Sequence, residues 1–203
     1  MKGIGQHEFY GGPDVTDPNG KHFTGILEAS LRRAAKANNS EVKVVKVQIG
    51  EPKSITRSVQ IVNAQGDIGI DCHHTVEDCG ICLGKAFSKA LGDKKGINRY
   101  GFFLLPMDDA LIRVALDFSG RSFLSWNVKF PTSSVGNFDL ELVREFFNSF
   151  STNSRATIHV DMLTGFNSHH ISEAVFKSMG KAIKMAITKD QRLDSIPSTK
   201  GSL

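Results

Sequence analysis

Long apolar runs are missing from this sequence. No stretch approaches the ~18 residues that a membrane-spanning helix needs, and the opening "MKGIGQHEFYGGPDVTDPNG" has no signal-peptide hydrophobic segment. The expectation is a cytoplasmic protein without a membrane partner; a plastid setting would need a transit peptide ahead of this chain. Cysteine is scarce too: the three at positions 72, 79 and 82 are an odd number, which makes no disulfide framework. Cys79-x-x-Cys82 has CxxC spacing, but no second CxxC completes a zinc site, and the segment is patterned as a helix. Small buried residues on that helix are a better reading of the thiols than redox or zinc chemistry. Excess charge of one sign is also absent, since the net +4 is dispersed along the chain. That argues against a nucleic-acid partner and suits a small anionic substrate. With 40% hydrophobic and 23% charged residues the chain is an ordinary globular one, and its 203 residues fit a single domain.

What is present is a cluster that occurs twice. "DCHHTVEDCG" holds His73, His74 and Glu77, and "NSHHISEAVF" holds His169, His170 and Glu173 at an offset of 96 residues. The match runs on past the histidines: Gly84-Lys85-Ala86 falls on Gly180-Lys181-Ala182, Ala90 on Ala186, and Leu83 and Phe87 on Met179 and Ile183. An internal duplication accounts for this, and two α+β halves presenting one HHxxE helix each are expected to pack about a pseudo-twofold. Residues 1–23 read as a loop-like arm, 24–96 as the first half-repeat, 97–190 as the second and 191–203 as an irregular tail. Within them the pattern predicts a helix from Thr24 and two strands in "EVKVVKVQIG" and "RSVQIVNAQ". A helix follows from His73 to Leu91, then strands broken near Pro106 and at Ser119-Gly120. The remainder reads as a helix in "DLELVREFFNSFSTNS", a strand in "RATIHVDML" and a helix in "HHISEAVFKSMGKAIKMAIT".

On a helix, each glutamate shares a face with the histidines three and four residues before it. Adjacent histidines point about 100° apart, which makes one shared metal awkward and suits a dinuclear arrangement with nitrogen and oxygen ligands. The alternative is a polar helix start with no metal. His159 joins the candidates because Ala156, Ile158 and Val160 take the other face of its strand. Arg99, Arg121, Lys177, Ser198 and Lys200 are candidates for gripping an anion, although any one of these cations taken alone reads as solvated surface charge.

These segments, with "GDIGIDCHHTVEDCGICLGKAFSKALGDKKGINRYG", "PMDDAL", "DFSGR", "ATIHV", "GFNSHHISEAVFK" and "IPSTKG", resemble imidazoleglycerol-phosphate dehydratases over roughly residues 66–203. The resemblance implies an α+β fold of two similar halves, each a four-stranded sheet backed by helices. It also implies trimers assembled into a 24-subunit cage, with two Mn2+ ions per site held between subunits. The implied reaction removes water from D-erythro-imidazole-glycerol phosphate to give imidazole-acetol phosphate, in histidine biosynthesis, with the imidazole held as imidazolate between the metals. By position, His73, His74, Glu77, His159, His169, His170 and Glu173 would ligate metal, and Glu77 and Glu173 would serve as acid and base. Arg99, Arg121, Lys177, Ser198 and Lys200 would bind the phosphate, and the tail would close over it.

Upstream the chain departs from the family pattern. "TGILEASLRRAAKAN" keeps Thr24-Gly25-Ile26, but Glu28-Ala29 or Ala29-Ser30 stands where the family has Asp-His; Cys72 stands where it usually has Asp. His7 and His22 are the only spare histidines. Two other readings therefore stand beside the dehydratase: a non-catalytic, metal-assembled relative, and a dinuclear metallohydrolase.

Overall fold

The computed structural model describes residues 41–48, 58–65, 71–190, 192 and 195–201, the first two segments by backbone alone. The arm 1–23 and the helix expected from Thr24 lie outside the described residues. β1 (Glu41–Gln48) and β2 (Ser58–Gln65) pair antiparallel with Glu41 opposite Gln65 and Gln48 opposite Ser58, as their β-branched alternation predicts.

Helix α1 (His73–Leu91) has the predicted bounds and buries Gly80, Cys82, Gly84, Ala86 and Phe87. It stops at Gly92, whose φ of 51° lies in the left-handed region, and Lys94 N–H closes the end on the Leu91 carbonyl at 2.8 Å. The chain then forms β3 (Tyr100–Met107), β4 (Ala110–Asp117) and β5 (Phe123–Asn127). A small hairpin of β6 (Ser134–Val135) and β7 (Phe138–Asp139) follows, then α2 (Glu141–Ser154), β8 (Thr157–Thr164) and α3 (Ser168–Ile187). Four strands make one sheet in the order β3-β4-β8-β5, antiparallel except for the β5/β8 pair.

Alternation decides the faces of that sheet. Ile112, Val114 and Leu116 of β4 and Ile158 and Val160 of β8 are buried, while Arg113, Ala115 and His159 between them are exposed. Ile171, Ala174, Val175, Met179, Ala182 and Ala186 of α3 join those strand residues in one core. Phe146, Phe147 and Phe150 of α2, with Phe87 of α1, add an aromatic layer to it. The result is a mixed α+β architecture with a sheet backed by helices, and the span 97–190 holds the whole four-stranded sheet.

The expected strand break near Pro106 falls two residues on, at Asp108-Asp109. Pro106 lies inside β3, opposite Leu111. β3 is an edge strand, where a residue without an N–H costs no interior ladder bond.

Candidate functional site

The start of α3 is built by side chains reaching backbone. The Asn167 Oδ1 accepts from the N–H groups of His169 and His170 at 2.9 and 3.2 Å, capping the helix. At α1, Asp71, which the 96-residue offset places on Asn167, accepts from His73 N–H at 2.8 Å. One bond of the cap recurs, since Asp71 takes His73 N–H as Asn167 takes His169 N–H, while the N-cap Cys72 makes no side-chain bond; in both pairs the ring centroids are 6.1 Å apart, edge to face. His74 and His169 are exposed, and His73 and His170 half-buried.

Around α3 the cluster is dense. Glu173 lies 3.3 Å from His169 Nε2 through one oxygen and pairs with Lys177 through the other, so three of the candidate residues are joined along one helix face. His170 turns to the β3–β4 hairpin, where its Nδ1 lies 2.6 Å from Asp109 Oδ1. The second Asp109 oxygen accepts from the N–H groups of Phe166 and Asn167 at 2.6 and 2.9 Å. Those bonds, the Phe166 N–H first and then His170, hold the Asp109 carboxyl well below the usual carboxylate range. In turn Asp109, with lesser contributions from Asp108 and Glu173, pushes the His170 imidazole above its ordinary value. Asp108, Asp109 and Asn167 were not singled out from sequence. The signal that marks them is the "PMDDAL" turn and the Asp71/Asn167 correspondence.

Of the anion candidates, Lys177 sits with Glu173 in this first cluster, whereas Arg99 and the tail make a second locus. Arg99 has φ 68° and forks onto Asp117, with Nε 2.7 Å and Nη2 3.1 Å from the two carboxylate oxygens; its Nη1 donates to the Pro197 carbonyl at 2.9 Å. That pairing pushes the guanidinium still higher than usual. Arg99 therefore ties the tail, including Ser198, to the end of β4. Buried Lys94 donates to the Phe118 carbonyl at 3.1 Å, and Arg155 to the Gly120 carbonyl at 3.0 Å, so cations also brace the "DFSGR" turn that presents exposed Arg121. Burial, with Arg155 and Arg99 nearby, lowers the Lys94 ammonium. Lys200 is exposed in the tail, and Gly201 N–H closes a turn on the Ser198 carbonyl at 3.0 Å.

These two loci stand apart within one chain. The Arg99 N–H donates to the Ala186 carbonyl at the far end of α3. Glu173 is thirteen residues earlier, about 20 Å along the helix axis, and Lys177 about 13 Å. His159 projects from the open face of the sheet beside Phe123, ring centroids 5.6 Å apart. Imidazole and carboxylate are fitting donors for a divalent transition metal. By number they are incomplete: no three His, Cys, Asp or Glu side chains among the described residues form a group that could hold a metal ion. Burial pushes the Cys79 thiol up to about 11 and also raises Cys82, away from a reactive thiolate. No helix among the described residues is long and apolar enough to cross a membrane.

Comparison with known proteins gives a consistent picture. The profile of the family described as imidazoleglycerol-phosphate dehydratase matches residues 54–183. The imidazoleglycerol-phosphate dehydratase of Ruegeria pomeroyi is 61% identical over 143 residues, covering 70% of this chain and 73% of its own. That of Cereibacter sphaeroides is 59% identical over the same shares, and that of Moorella thermoacetica 56% identical over 140 residues. Among solved structures, the enzyme from Staphylococcus aureus superposes with a TM-score of 0.61 at 30% identity, over 91% of this chain and 98% of that one. The one from Pyrococcus furiosus gives 0.62 at 26% identity, over 98% and 94%.

Proposed function

The chain belongs to the imidazoleglycerol-phosphate dehydratase family, and from that premise we propose that it is a hydro-lyase of histidine biosynthesis, converting imidazole-glycerol phosphate to imidazole-acetol phosphate. The observation that carries the reading is the doubled HHxxE helix start, each with a side chain two residues ahead accepting the first histidine's N–H, alongside Arg99 held by Asp117 and the tail.

The chemical difficulty is a carbon-bound proton that no neighbouring carbonyl acidifies. Two Mn2+ ions, held by His73, His74, Glu77, His159, His169, His170 and Glu173, would supply the positive charge that lets the substrate's imidazole accept electron density as hydroxide leaves. Glu173 is fixed between His169 and Lys177, and it is the proton-transfer candidate with Glu77. Arg99, Arg121, Lys177, Ser198 and Lys200 would bind the phosphate.

A substrate with three carbons between ring and phosphate cannot reach both the start of α3 and the Arg99 end of the same helix. The site is therefore one that copies of the chain complete for each other: the metal end of one copy faces the anion end of another. Trimers built into a 24-subunit cage are an arrangement that meets this requirement, with the tail closing over the phosphate.

Purified full-length protein supplied with Mn2+ and imidazole-glycerol phosphate, followed by the enol absorbance of the product alongside metal analysis, tests the reading. Turnover with two metals per subunit is the expected result. One metal and no turnover would favour a non-catalytic assembly, and hydrolysis of phosphate esters lacking imidazole would favour a metallohydrolase.

A further inference from the structure

Asp109 makes three hydrogen bonds with two oxygens, and each acts on the start of α3. One oxygen receives Phe166 N–H and Asn167 N–H, fixing the loop whose Asn167 side chain then caps the helix. The other lies 2.6 Å from His170 Nδ1. The Asp109 side chain is only 9% exposed, and the His170 ring 27%. An ionised carboxylate only accepts, so a neutral imidazole against it must carry its proton on Nδ1 and leave the Nε2 lone pair free. Nε2 faces outward, with the exposed Asp108 carboxylate 3.5 Å away, which makes that side of the ring attractive to a cation. Glu173, on α3 itself, adds a third negative group near the ring. Among the described residues the tie is seen on His170, and no carboxylate stands on the ring of His73 or His74.

We propose that Asp109 is a positioning residue: it fixes His170 as the Nδ1–H tautomer and so presents Nε2 to a divalent cation, while its other oxygen holds the loop that caps α3. The cation part rests on the reading of His170 as a metal ligand. Backbone-oriented carboxylates on ligating histidines act this way generally, and their loss weakens metal binding about 10–100-fold.

Asp109→Asn separates orientation from folding. The asparagine oxygen still accepts from Phe166 and Asn167, which leaves its NH2 facing His170 Nδ1. An NH2 donates, so the proton moves to Nε2 and the lone pair that faces the cation is lost. The test uses full-length protein labelled with 15N-histidine, stripped of metal and held near pH 9, where solid-state 15N spectra separate protonated from bare ring nitrogens. His170→Gln assigns the His170 signals. Wild type is expected to show Nδ1–H, Asp109→Asn to show Nε2–H, and Asp108→Asn to keep Nδ1–H. Wild type in the Nε2–H form overturns the proposal even if Asp109→Asn fails to fold, and so does an unaltered tautomer in a folded Asp109→Asn. Calorimetric titration with Mn2+ supplies the second readout, with a 10–100-fold loss of affinity expected in Asp109→Asn. An exchanged tautomer with undiminished Mn2+ affinity overturns the cation part together with the ligand reading of His170. An unchanged tautomer leaves that ligand reading standing.

Discussion

His170 shows how one residue's chemistry is written by its surroundings. Its pair with Asp109 raises the imidazole, so in metal-free protein the pair's stabilisation is fully present below the unfolded pKa of about 6.5 and is lost as pH rises through the higher folded value. The thermal midpoint of metal-free protein is accordingly expected to fall as pH rises above about 6.5, with a smaller fall in Asp109→Asn; scanning calorimetry as a function of pH checks it, and parallel slopes would refute it. Arg99 carries a comparable burden at the other locus. Lysine at 99 would keep the charge but lose the fork onto Asp117 and the bond to the Pro197 carbonyl. One hydrogen bond to a charged group contributes about 1.5–3 kcal/mol. Arg99→Lys is therefore expected to free the tail and speed tryptic cleavage at Lys200 roughly tenfold or more, read by mass spectrometry over time. The histidine and glutamate candidates were legible as residues because the duplication displays them twice. Asp109 was not, since a carboxylate in a hairpin turn reads as turn chemistry until its partner 61 positions away is in view.

At the scale of elements, α1 and α2 approach closely because glycines line their contact. A Cβ on Gly80 would stand 2.5 Å from the Phe146 carbonyl oxygen, and one on Gly84 2.8 Å from both the Phe150 oxygen and the Asn153 Cβ. Gly→Ala inside a helix normally stabilises by up to about 1 kcal/mol. At Gly84 the obstacle is backbone, so overpacking of about 1–3 kcal/mol should win. Gly84→Ala is expected to lower the denaturant midpoint, and an unchanged or higher midpoint would show that the helices can part without cost. Both helices carrying histidine pairs begin and end within a residue or two of where periodicity predicts, because their apolar stripes and stops are local. The same holds for β1, β2 and β8. The break expected near Pro106 lies two residues beyond it, and Pro106 itself fits inside β3 because the sheet order makes that strand an edge.

At the scale of the molecule, the proposed function makes the active site a property of an assembly, because the start of α3 and Arg99 lie about 20 Å apart along one helix. Two variants each inactive alone, Glu173→Gln at one locus and Arg99→Ala at the other, should regain activity when dissociated and reassembled together. Reassembly confirmed by gel filtration with no regained turnover would place both loci on one site within a single chain. His170→Ala is expected to dissociate the large assembly as well as abolish turnover, because the metal joins copies; an unchanged elution volume would count against it. Family and reaction were readable from the chain's order of residues, since a 96-residue repeat and helical spacing are local or periodic properties. Tertiary structure alone decided that Arg99 faces Asp117 and the tail, that Asp109 meets His170, and that Arg99 and Glu173 lie at opposite ends of α3. Those are contacts between residues remote in sequence, and only the path of the chain through the sheet and along α3 sets their distances.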